Sequence, residues 1–99
     1  MPGSSDPAEA AELLRREVAR LARWISDPSR CDFGAALRLA ERGFGADAIA
    51  YAIRTASPRI EERKSGHVQD YAERTAESAL RAHRRALQRD RERDPGWER

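Results

Sequence analysis

Residues 57–75 read Ser-Pro-Arg-Ile-Glu-Glu-Arg-Lys-Ser-Gly-His-Val-Gln-Asp-Tyr-Ala-Glu-Arg-Thr, and their punctuation divides the chain. Ser57-Pro58 closes one helix and signals the start of the next, because a serine oxygen can cap free backbone N–H groups and proline has no N–H to lose at the first helical position. Ser65-Gly66 then breaks the helix and restarts it. From His67 onward, at about 100° per residue, His67, Tyr71, Arg74, Ser78, Arg81 and Arg85 form one stripe. Val68, Ala72, Thr75, Ala76, Ala79, His83, Ala86 and Leu87 form a second. One face is built to pack and the other to offer cations and rings.

Upstream, Asp6-Pro7-Ala8-Glu9 has the form of a capping box. Leu14, Val18, Leu21 and Ile25 follow at helical spacing, so a first helix is expected to run to about Ser26. Asp27-Pro28-Ser29-Arg30 reads as a turn, and Asp32 as the cap of a second helix through Phe33, Ala36, Leu37 and Ala40, ended by Gly43. A third helix starts near Ala46 and buries Ile49, Ala50, Ile53 and Ala56. The fourth is the longest and holds at least to Leu87; Asp94-Pro95-Gly96 stops any helix, and Trp97 lies beyond. The expected organisation is a disordered residue 1–5 segment, a helical domain over residues 6–88, and a frayed basic tail over residues 89–99.

The fold class expected is all-α: a small four-helix bundle, five if Pro58–Arg63 forms a short helical turn, containing a helix-turn-helix-like hairpin. The expected core is Leu14, Val18, Leu21, Ile25, Phe33, Leu37, Ile49, Ile53, Val68, Ala72, Ala76 and Leu80. The chain has 99 residues, 39% of them hydrophobic and 36% charged, which suits one domain with a thin core and leaves no strand-like alternation. No run of about 18 apolar residues exists to span a membrane, and the lone Cys31 fits a reducing compartment, so a cytoplasmic monomer is expected.

Net charge is only +2, but it is unevenly spread. Residues 1–56 carry eight basic and eight acidic side chains, whereas residues 81–93 carry six arginines against Asp90 and Glu92. Eighteen of the nineteen basic residues are arginine, which grips phosphate bidentately and stacks on bases better than lysine. A high-GC genome accounts for that bias equally well. The candidate binding residues are Arg63, Lys64, His67, Tyr71, Arg74, Arg81 and Arg85.

Other constellations carry less. His67 and Asp70 share a helical face as an acid–base pair would, but no nucleophile accompanies them. Cys31, His67 and His83 lack the close spacing of a zinc motif, and no metal or resident cofactor is expected. Leu37–Ile53 has helix-turn-helix spacing about Gly43, yet the helix at Asp47-Ala48-Ile49-Ala50-Tyr51-Ala52 offers few groups able to read base edges.

The segments Asp32-Phe33-Gly34-Ala35-Ala36-Leu37-Arg38-Leu39-Ala40-Glu41-Arg42-Gly43, Ala56-Ser57-Pro58 and residues 62–75 together resemble the helical domain that follows the catalytic part of RepB-type plasmid primases. Similar segments occur where that primase is fused to a mobilisation relaxase. The specific part is Arg-Lys-x-Gly-His-x-x-Asp-Tyr-Ala-x-Arg-Thr, at residues 63–75. The resemblance implies a nucleic-acid- and nucleotide-binding accessory domain that engages single-stranded DNA template and the initiating nucleoside triphosphate, beside a primase catalytic domain in cis or trans. Magnesium and nucleotide would come with that catalytic domain, whose carboxylate cluster this chain lacks, so no enzyme activity is expected of it alone. Two other classes compete: a protein-interaction adaptor with merely solvated charged faces, and a small helix-turn-helix regulator of duplex DNA. Salt titration of binding to single-stranded and duplex DNA separates the three.

Overall fold

The computed structural model describes residues 6–93. Five helices follow in order: α1 (Pro7–Leu21), α2 (Pro28–Glu41), α3 (Ala46–Ala56), α4 (Ile60–Arg63) and α5 (Val68–Arg93), with no strand among the described residues. This is the expected all-α bundle, four main helices with the short fifth turn present. Residues 1–5, the Asp94-Pro95-Gly96 stop and Trp97 lie outside the described residues, whereas residues 89–93 continue α5.

The same dipeptide starts the first two helices. Asp6 accepts the Ala8 N–H at 3.0 Å, Asp27 accepts the Ser29 N–H at 2.9 Å, and Pro7 and Pro28 stand at the first helical positions. The cap of α2 is therefore Asp27, not Asp32 as its position before Phe33 suggests. The residue before a proline is driven out of helical backbone, so the chain has to leave α1 ahead of Asp27. It does so at Leu21, short of the expected Ser26, and Trp24 is left 79% exposed in the turn. Gly43, at φ 96°, ends α2 as the sequence predicts.

α3 is the central element. It packs against α1 on one side and α5 on the other, with α2 bridging α1 and α5 and α4 resting on α3. Small side chains let the axes approach: Ala10, Ala35, Ala36, Ala52, Ala72, Ala76 and Ala79 are buried beside Leu14, Leu39, Ile49 and Ile53. At Gly34 a Cβ would stand 2.8 Å from Leu21 Cδ1, a measure of how closely α1 and α2 meet.

Of the expected core, Leu14, Val18, Ile49, Ile53, Ala72 and Ala76 are buried, and Leu21, Ile25, Leu37, Val68 and Leu80 pack partly buried around them. Phe33 is the exception, on the surface. With α2 begun at Pro28, the inward face is Cys31, Asp32, Ala35, Ala36, Leu39 and Ala40, which turns Phe33 outward; Phe44, past Gly43, fills the aromatic place instead. α3, enclosed by its neighbours, exposes chiefly Asp47, Tyr51 and Thr55. That is a poor face for reading bases.

Candidate nucleic-acid interface

The site is organised by a carboxylate inside the bundle. Asp32, one turn into α2, is fully buried, and three donors from three other parts of the chain converge on it. Ser57 Oγ donates to Oδ1 at 2.7 Å, Arg63 Nη2 to Oδ2 at 2.8 Å, and Tyr71 OH to Oδ2 at 2.6 Å. Arg63 Nη1 also donates to Ser57 Oγ at 3.1 Å and to the Pro58 carbonyl at 2.9 Å. The end of α3, the short α4 and the first turn of α5 are thus all tied to α2 through one side chain. Among the described residues no buried side-chain nitrogen or oxygen lacks a partner, as a buried charge requires.

The electrostatics follow from this geometry. Burial opposes the Arg63 charge, but the hydrogen bond and charge of Asp32 outweigh it, so the guanidinium is held above its usual range. Burial, helped by the bond to Asp32, pushes the Tyr71 phenol up to about 12. The same burial, with Asp32 adjacent, raises the Cys31 thiol, whose Sγ lies 3.4 Å from the Ile25 carbonyl oxygen; Cys31 is an inert core residue.

Backbone conformation positions the rest. Ser57 is not a helix-start cap: it closes α3, and its hydroxyl is spent on Asp32. Arg59 takes the left-handed conformation at φ 56° and redirects the chain so that α4 delivers Arg63 inward. Lys64 follows, its Nζ 4.5 Å from the centroid of the Tyr71 ring, within cation–π range. Gly66, at φ 77°, turns the chain into α5, whose first turn is closed by the Tyr71 N–H donating to the His67 backbone carbonyl at 2.9 Å; the His67 side chain is exposed.

The seven candidate residues therefore divide. Arg63 and Tyr71 bond to Asp32, Lys64 reaches the Tyr71 ring, and His67 is exposed beside them in sequence. Arg74 lies further along α5, exposed and paired with Asp70 at 3.0 Å. Arg81, whose Nη2 meets Ser78 Oγ at 3.3 Å, and Arg85 are exposed beyond the last buried residue of the helix, Ala79. The residue that sequence reasoning missed is Asp32. Its signals were present: Asp27-Pro28 repeats the Asp6-Pro7 cap, and Asp32 then falls in register with Ala35, Ala36 and Leu39, a charge on an apolar stripe.

Comparison with known proteins matches residues 26–79 to the RepB DNA-primase C-terminal helical domain. The chain belongs to this family. In this RepB-type helical domain the matched segment contains the complete Asp32, Ser57, Arg63 and Tyr71 cluster, and ends before Arg81. The chain is also 46% identical over 72 residues to Mobilization protein A of Escherichia coli, covering 72% of this chain. It spans about a tenth of that relative's length. No solved structure matches. None of the described helices is long and apolar enough to cross a membrane.

Proposed function

We propose that this RepB-type helical domain is an accessory module of plasmid replication or mobilisation proteins that binds single-stranded DNA and the initiating nucleotide for a primase catalytic domain. The observation that carries this reading is the ring of Tyr71, clamped by Asp32, with the Lys64 ammonium 4.5 Å from its centroid. The Lys64 ammonium covers the face of this fixed ring, so a base stacks there as Lys64 swings off to meet its phosphate. His67, Arg74, Arg81 and Arg85 extend the cationic stripe along α5. Arg63 acts from within, sharing Asp32 with Tyr71 and so helping to hold that ring in place. Magnesium and nucleotide chemistry belong to the catalytic partner.

The test is binding of the chain to labelled single-stranded DNA over a range of salt. Lys64→Glu and Arg74→Glu should each weaken binding about tenfold or more and flatten the salt dependence, whereas Arg15→Glu with Arg16→Glu on α1 should change it less than about threefold. Equal losses at both places would mean diffuse attraction and end the proposal. One observation favours an adaptor role instead: Trp24 is 79% exposed, and its neighbour in sequence, Ile25, lines a cleft of about 420 Å³ with Val18, Pro28, Pro58, Asp32 and Arg63. If Trp24→Ala abolishes association with a primase catalytic domain while DNA binding is unchanged, docking is the main task of this end of the bundle.

A further inference from the structure

We propose that three turns of α5, from Arg81 to Arg91, form a docking arm for the two phosphate backbones of a nucleic-acid duplex. This goes beyond the single-strand surface proposed above and does not depend on it.

The helix is polarised in charge. Between Val68 and Leu80 it carries Asp70, Glu73 and Glu77 against Arg74; between Arg81 and Arg91 it carries Arg81, Arg84, Arg85, Arg89 and Arg91 against Asp90 alone. These five arginines are all exposed, and none is ion-paired to a carboxylate of the described residues, in contrast to Arg74 with Asp70. The half-buried Ala82, His83 and Ala86 occupy the side facing the bundle. Asp90 falls on the side opposite Arg81, at about 100° per residue.

The arginines form two flanks rather than one row. Arg84 and Arg91 lie on one side of Arg81, Arg85 and Arg89 on the other, the two flanks separated by about 130° around the axis. A helix with its side chains is about 10–12 Å across, and the major groove of duplex DNA is about 12 Å wide. A helix seated there has a phosphate backbone along each side, which is where the two flanks point. Single-strand binding, by contrast, is built on stacking rings. The arm presents none: His83 faces away, and Tyr71 is about 15 Å back along the helix from Arg81, held by Asp32. The flanking arginines are splayed towards the two backbones, so they meet phosphates; Arg81, midway between the flanks, faces the groove floor and is the arginine placed to meet a base edge.

The test uses the whole chain, a labelled mixed-sequence duplex and one of its strands, titrated separately over a range of salt. Arg84→Gln with Arg91→Gln should weaken duplex binding about tenfold and lower its salt slope by about two, while changing single-strand binding less than about threefold. Arg85→Gln with Arg89→Gln should weaken duplex binding comparably; Arg15→Gln with Arg16→Gln should not. The changes are exposed, and unchanged helical circular dichroism confirms that each variant is folded. A duplex affinity within about twofold of the parent for the Arg84 and Arg91 pair, the result for arginines that only offset the helix dipole, overturns the arm. So does an equal loss on single strands. If the parent chain binds duplex in this pattern but no single strand, the arm stands and the single-strand reading falls.

Discussion

Asp32 is the residue on which the most depends. Replacing it by alanine leaves the Arg63 guanidinium partly buried without its counter-charge and strips Ser57 and Tyr71 of their acceptor. Breaking such a pair costs about 3–5 kcal/mol. Asp32→Ala should therefore unfold much of the domain, measured as a collapse of the urea midpoint. Tyr71→Phe is the milder probe, removing one hydrogen bond to a carboxylate for about 1–2 kcal/mol. It also isolates a pH effect. The phenol holds its proton more tightly in the folded chain, at about 12 against an ordinary 10.0, so the stabilisation is complete below 10 and is lost as pH rises towards 12. The parent should lose stability through that alkaline window faster than Tyr71→Phe does; parallel curves would show that the phenol is not held as described. Of these facts the sequence announced Tyr71 and Arg63 as special, by their place among cations, but not their shared partner. The reason is that a buried carboxylate is recognised by the donors that reach it, and those lie 25, 31 and 39 residues away.

At the scale of elements, helix existence and type were legible, because periodicity and capping are local. Boundaries were legible at Asp6-Pro7 and Gly43, and were misplaced where two aspartates, Asp27 and Asp32, competed for one cap. That choice rotates α2 and decides whether Phe33 or Asp32 faces the core. Two predictions belong here. Ile53, fully buried in α3, should cost about 2–5 kcal/mol on truncation to alanine, whereas Leu21, only partly buried at the end of α1, should cost about half as much. Gly43→Ala forces a Cβ onto a residue at φ 96° and should destabilise by about 1 kcal/mol or more, read by thermal or urea unfolding. A neutral Gly43→Ala would mean that the turn between α2 and α3 can relax without loss.

For the whole molecule, extents of 54 × 30 × 22 Å reflect one long helix carried past the body of a small bundle. The family domain matched here is the C-terminal helical part of a primase, and phosphoryl transfer by a primase requires a carboxylate cluster holding divalent metal, which is the work of a catalytic part. The chain incubated with template, nucleotides and magnesium should therefore make no primer; extension that co-purifies with the protein would overturn the assignment of catalysis to a partner. What the sequence by itself determined was the fold class, the order of the helices, most of the apolar core and, through residues 62–75, the family. These are carried by near neighbours in the chain, where 3.6-residue periodicity, proline and glycine act directly. What only the tertiary structure decided was which charges are spent inside and which remain on the surface. Arg63 and Arg85 look alike in the chain, yet one is drawn to Asp32 by a fold that joins α2, α4 and α5, and the other stands beyond the last packed turn of α5. Arg63 is unavailable because a carboxylate 31 residues away is brought within about 3 Å of it, and no local pattern contains that distance.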